Sequence, residues 1–171
     1  MSHSFPLAMQ PPSTSITTIT QEKIAEAIVI SRQSPRKRII LPYHKSAADK
    51  MHRMFNIIQP YSYIRPHTHI TAFKHESIIL LQGAVCFFVF DTLGNVTQQH
   101  TLRAGSWQFG IDIEPHIVHS FIALEEDTVL FEVKPGPYDK ALDKDFMPWS
   151  PEEGTPEATA YLDRLYAIAK S

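Results

Sequence analysis

Two imidazoles separated by one residue, His67 and His69, are followed by a carboxylate at Glu76 and, much later, by another imidazole at His119. In an extended strand the side chains at i and i+2 point to one face. His67 and His69 could therefore hold one ion between them. Four nitrogen and oxygen donors from two separated segments, converging inside a small barrel, would suit one divalent transition metal. With no thiolate the choice runs over Fe, Mn, Ni, Co, Cu and Zn, and imidazole plus carboxylate does not decide among them. A structural zinc site is the less attractive reading, because such sites favour cysteine-rich closed tetrahedra. Ordinary structural roles stand beside this one: His119 could equally be a core histidine bonded to a carbonyl.

Strand parity sorts the neighbours. Arg65 shares the face of His67, and Tyr63 lies two residues further back. Lys74 stands two before Glu76, while His75 points the other way. Arg65, Lys74 and Tyr63 are the candidates for substrate binding. A guanidinium grips carboxylate or phosphate with two prongs, and an ammonium or phenol can move a proton. The competing reading makes Arg65 and Lys74 ordinary ion pairs near a barrel mouth. His116 sits in a turn. His3, His44, His52 and His100 follow no spacing pattern and are assigned to the surface. Cys86 reads as apolar filler, and Trp107 and Trp149 as packing residues. The six glycines are scattered and form neither GxGxxG nor GxxxxGK, and there is no Gly-x-Ser-x-Gly elbow.

The elements that must position these residues are mostly strands. Met51–Ile58, Tyr61–His69, Glu76–Leu81, Ala84–Asp91, Val96–Leu102, Trp107–Ile113, Val118–Leu124 and Thr128–Lys134 are short, extended or β-rich runs separated by turn residues. That rhythm predicts an all-β sandwich or closed barrel. Helices flank it. The first, over about residues 20–33, follows a capping-box-like Thr18-Ile19-Thr20-Gln21 and stops ahead of Pro35. The last, over about 155–169, presents Leu162, Leu165, Tyr166 and Ile168 as an apolar stripe. The expected organisation is a loose arm at 1–17, a helical and irregular segment at 18–50, a barrel at 51–138 and a C-terminal extension at 139–171.

A chain of 171 residues fits one domain, and a formal charge of −2 gives no pull toward nucleic acid or anionic membrane. The basic run Pro35-Arg36-Lys37-Arg38 reads as a solvated turn. One cysteine suits a reducing compartment. No apolar run reaches the roughly 18–20 residues that span a bilayer, and residues 1–16 lack the basic start and apolar core of a secretory signal. The expectation is a cytoplasmic protein with a small-molecule ligand and neither a nucleic-acid nor a membrane partner.

At His67-Thr68-His69, and at Glu76 with Gly83 behind it, the chain resembles a cupin. It departs from the general pattern in the six residues between His69 and Glu76, where three or four are usual, and in lacking a glycine ahead of His67. Glu114-Pro115-His116-Ile117-Val118-His119 likewise lacks the first proline and the glycine of the second cupin motif. A closer resemblance spans about residues 25–152. Its pieces include Ser34-Pro35-Arg36, Tyr61 to His69, Lys74-His75-Glu76, Leu81-Gln82-Gly83, Phe90-Asp91, Phe131 to Tyr138, Asp143 to Phe146 and Pro148 to Pro151. This is similar to the WbuC-type cupin-fold metalloproteins of bacterial surface-polysaccharide gene clusters, in which the longer His–Glu gap is normal. The resemblance implies a mainly β fold, a single double-stranded β-helix (jelly-roll) barrel with N- and C-terminal helices. It also implies His67, His69, Glu76 and His119 as metal ligands, and the fold suggests a homodimer. It names no reaction: cupins host isomerases, epimerases, oxygenases and non-catalytic binders alike.

Overall fold

Two antiparallel five-stranded sheets, each with alternate side chains turned inward, face one another in the computed structural model, which describes residues 5–69, 71, 73–139 and 143–170. Helix α1 (Gln21–Gln33) is followed by β1 (Arg38–Pro42), β2 (Met51–Ile58), β3 (His67–Thr68), β4 (Glu76–Gln82), β5 (Ala84–Phe90) and β6 (Val96–Arg103). Then come β7 (Gly110–Ile113), β8 (His119–Ala123), β9 (Thr128–Pro135), β10 (Asp145–Phe146) and helix α2 (Pro156–Ala169). One sheet runs β1-β2-β9-β4-β7 and the other β10-β3-β8-β5-β6. The result is a single jelly-roll barrel flanked by two helices.

Period-two alternation explains the layering. Along β5, Val85 and Phe87 enter the barrel and pack with Ile58, Ile78, Leu80, Leu102, Phe121 and Leu130. Cys86 and Phe88 face outward and are covered by Ala158, Leu162 and Leu165 of α2. On the other sheet Ile39, Leu41, Phe55, Ile57 and Val129 cluster with Ala27 of α1. Thr155 caps α2 by accepting from the Ala158 amide, with Pro156 in the first turn, where its missing N–H costs no helical bond. Gly83, at φ 74°, makes the β4–β5 turn; a Cβ there would lie 2.4 Å from Thr128 Oγ1.

Several details differ from the sequence expectations. The cap of α1 is Thr20, which accepts from the Lys23 amide, so the capping signal lies two residues downstream of Thr18. Residues 34–50, expected to be irregular, contain β1, because Ile39 and Leu41 find an apolar partner in α1. The expected loose arm is tied down in part: the Met9 amide donates to the Ile40 carbonyl at 2.8 Å, and residues 1–4 lie outside the described residues. His52, assigned to the surface, is 3% exposed, because the alternation of β2 turns it inward, and its ring stacks on His44. Trp107, assigned to packing, is 90% exposed. Residues 61–66 form no strand: Tyr61 has φ 64°, and only His67–Thr68 pair regularly. No helix of the described residues is long and apolar enough to cross a membrane.

Candidate metal centre

Three elements converge on one point inside the barrel. His67 of β3 lies directly opposite His119 of β8, and β4 brings Glu76 across from the facing sheet. His69 follows β3 immediately. All four side chains are buried, and one donor atom from each lies within 4.8 Å of the others. The floor is apolar: Phe87 stacks on the His119 ring with centroids 5.5 Å apart.

The outer edge of each ring is held by backbone. The Nδ1 atoms of His67 and His119 lie 2.9 Å from the carbonyls of Arg65 and Ile117, and Nδ1 of His69 meets the carbonyl of Asp143. A carbonyl can only accept, so each Nδ1 carries the proton and each Nε2 keeps its lone pair. Nε2 of His69 and of His119 both lie 3.2 Å from Oε2 of Glu76. His69 Nε2 is buried with no hydrogen-bond partner. Burial, with Lys144 and His119 nearby, holds the His67 pKa well below its ordinary value, which keeps that ring neutral. Burial would raise the pKa of Glu76, but the Lys134 ammonium outweighs it and keeps the carboxyl ionised. Three oriented imidazole nitrogens, one of them buried without a partner, and one carboxylate oxygen fit a divalent transition metal.

A network of buried charges backs this group. Lys134 Nζ lies 3.2 Å from Glu76 Oε1, 3.0 Å from Glu132 and 3.7 Å from Asp143. Asn56 donates to the other oxygen of Glu132 at 2.6 Å. Lys74 reaches Asp143 at 3.3 Å and the Pro137 carbonyl at 3.2 Å. Burial would lower the pKa of Lys134, but its carboxylate neighbours raise it, so it stays an ammonium. Glu76 thus gives one oxygen to Lys134 and turns the other toward the imidazoles.

The structure brings His67, His69, Glu76 and His119 together and places the remaining candidates around them. Lys74 is buried in the charge network. Arg65 stands one layer out, bonded to Ser150 and lying over Phe146, whose ring packs against His67. Tyr63 does not join them. Its hydroxyl donates to the Pro151 carbonyl, and its ring packs with the α2 cluster outside the barrel, because residues 61–66 do not keep strand parity. His75 is exposed beside Glu114, as parity requires. The His116 amide donates to the His69 carbonyl at 3.0 Å and so braces that segment.

Lys134, Asp143, Lys144 and Phe146 were missed by sequence reasoning. For Lys134 a signal was present. Leu130, Glu132 and Lys134 recur every second residue of a run that was itself expected as a strand, which puts two charges on its inner face. Pairing of Asp145–Phe146 with the histidine strand, which brings Asp143 and Lys144 alongside it, had no local signal.

A family model described as a domain of unknown function (DUF6016) matches residues 19–102, a span that holds His67, His69 and Glu76 but not His119. No curated protein matches the chain. Among solved structures, the capsular polysaccharide assembling protein CapF from Staphylococcus aureus matches in two crystal structures. Both are 15% identical over 63% of this chain, with TM-scores of 0.52 and 0.51. Oxalate decarboxylase from Bacillus subtilis is 16% identical over 58% of the chain, at a TM-score of 0.47. This chain spans 24% of that enzyme, and 29% and 31% of the two CapF chains. At this identity the CapF likeness speaks for the fold, which is a cupin barrel.

Proposed function

We propose that this protein is a metal-dependent cupin that acts on a small anionic or sugar-derived molecule by isomerase-, epimerase- or oxygenase-type chemistry, in the assembly of bacterial surface polysaccharide. One observation carries the metal: three imidazoles are pinned by backbone carbonyls at Nδ1, Nε2 of His69 and of His119 lies 3.2 Å from the free oxygen of Glu76, and a donor of His67 lies within 4.8 Å of the other donors. The polysaccharide context is supported by the resemblance of residues 25–152 to WbuC-type chains. A metal held there would supply Lewis acidity toward a bound oxygen, or oxygen chemistry if it were Fe(II). The chain's own residues do the rest. Lys134 fixes which oxygen of Glu76 is free, the carbonyls of Arg65, Ile117 and Asp143 fix the rings, and Phe87 and Phe146 pack against His119 and His67.

A second reading, a non-catalytic binding or sensing module with a metal-anchored ligand, is favoured by one observation. Lys74 is tied up in an ion pair with Asp143 and the Tyr63 hydroxyl is bonded to Pro151, so both acid/base candidates are already engaged. Glu76→Gln separates the readings when metal-loaded wild type and variant are incubated with small hydroxy acids and nucleotide sugars and followed by NMR. Conversion by wild type that falls at least about a hundredfold in the variant supports the enzyme. Ligand-induced shifts with no conversion, lost in the variant, support the binding module. A variant that loses only thermal stability, with no ligand effect in either protein, would reject both.

A further inference from the structure

Beside the site, the buried carboxylates of the described residues outnumber the ammonium groups paired with them by one. Among the described side chains buried beside the site, Glu76, Glu132 and Asp143 are carboxylates, and Lys74 and Lys134 are the cations that pair with them. The ion pairs that these carboxylates make with described lysines run to Lys74 and Lys134 and not to Lys144.

Cross-strand register places Lys144 beside the histidine strand. Phe146 of β10 lies directly opposite His67, and Asp145 lies opposite Thr68. Lys144 stands just before β10, next in line to His69, whose ring meets the carbonyl of the preceding residue, Asp143. Its surroundings agree: it is half-buried, and the charges of Lys134, Glu76, Glu132 and Asp143 all act on it.

With Lys144 included, carboxylates and ammonium groups balance. A divalent ion at the histidines then leaves an excess of two positive charges in a poorly hydrated interior. Such an excess is costly unless an anion offsets it.

We propose that Lys144 is the anchor for an oxyanion group, carboxylate or phosphate, of a small ligand that also touches the metal. The proposal rests on the metal-binding reading above. It replaces Lys74, whose ammonium is already occupied by Asp143 and the Pro137 carbonyl, as the residue that selects anionic ligands.

The test uses the full chain loaded with Co²⁺, whose visible absorption reports both metal uptake and changes in its ligands. Wild type, Lys144→Met, Lys144→Gln and Lys144→Arg are each titrated with glycolate, inorganic phosphate and the uncharged glycolamide. The expected result has three parts: cobalt affinity no lower in the Met and Gln variants than in wild type, a spectral response of wild type to glycolate or phosphate, and weakening of that response by at least about tenfold in the Met and Gln variants. The Arg variant should keep most of the affinity, and glycolamide should not distinguish the proteins. Glycolate and phosphate affinities unchanged in Lys144→Met and Lys144→Gln would overturn the proposal, as would a cobalt-loaded wild type that responds to neither anion. A wild type that takes up no cobalt would defeat the metal reading and the proposal with it, and the missing absorption band would tell that failure from the others.

Discussion

The two ends of the barrel interior are built from the same strands and could hardly be more different. Toward one end, β4, β8 and β9 contribute Leu80, Phe121 and Leu130 to an apolar cluster. Toward the other, the same strands contribute Glu76, His119, and Glu132 with Lys134. The apolar end gains stability from removing surface from water. The polar end contains buried charges, each of which costs stability unless paired. A fold that places both on one set of strands lets the dry end hold rigid what the charged end needs held, namely ring directions and a carboxylate with one free oxygen.

The largest expected effect comes from unbalancing the charged end. Lys134→Met leaves Glu76, Glu132 and Asp143 without their shared cation and should destabilise the metal-free protein by about 3–5 kcal/mol at pH 7.5 in urea denaturation. The gap should narrow with acid. In wild type the pKa of Glu76 is depressed, so its stabilisation is present above the unfolded value near 4.5 and lost as pH falls through the lower folded value. In the variant the crowded carboxylates prefer to be protonated, which favours its folded state at low pH. An equal deficit at pH 7.5 and pH 5 would argue against the network.

The dry end gives a slightly smaller loss of another kind. Leu130→Ala, at a fully buried position, should cost about 2–4 kcal/mol, show little dependence on pH, and leave metal stoichiometry unchanged in the folded protein. A loss of metal sites there would show that the two ends are not separable. Outside the barrel the effect should be smaller again. Thr155→Ala removes the cap of α2 and should lower stability by about 1 kcal/mol in thermal melts, with metal affinity unchanged.

The contrast also explains what could be seen in the sequence. His67-Thr68-His69 and Glu76 were legible because ligand spacing is local, and the β2 and β9 runs because alternation and β-branching are local. Tyr63 was misplaced because strand parity was extended backward through residues 61–66, where Tyr61 takes a positive φ and no ladder forms. β1 was misjudged because its burial depends on what packs over it, and His52 because the inward positions of β2 were not counted. Lys134 could have been found by counting inward positions along its strand. Asp143 and Lys144 could not, because what places them is the pairing of β10 with β3, a contact between segments more than seventy residues apart.

Metal content is the most direct test of the central claim. The protein would be purified without added metal, analysed for its elements, then stripped and titrated with Mn²⁺, Fe²⁺, Co²⁺, Ni²⁺, Cu²⁺ and Zn²⁺. The account expects one divalent transition metal bound per chain, with the site lost in His67→Ala and His119→Ala. A folded wild-type protein that neither carries nor takes up any of these ions would contradict it.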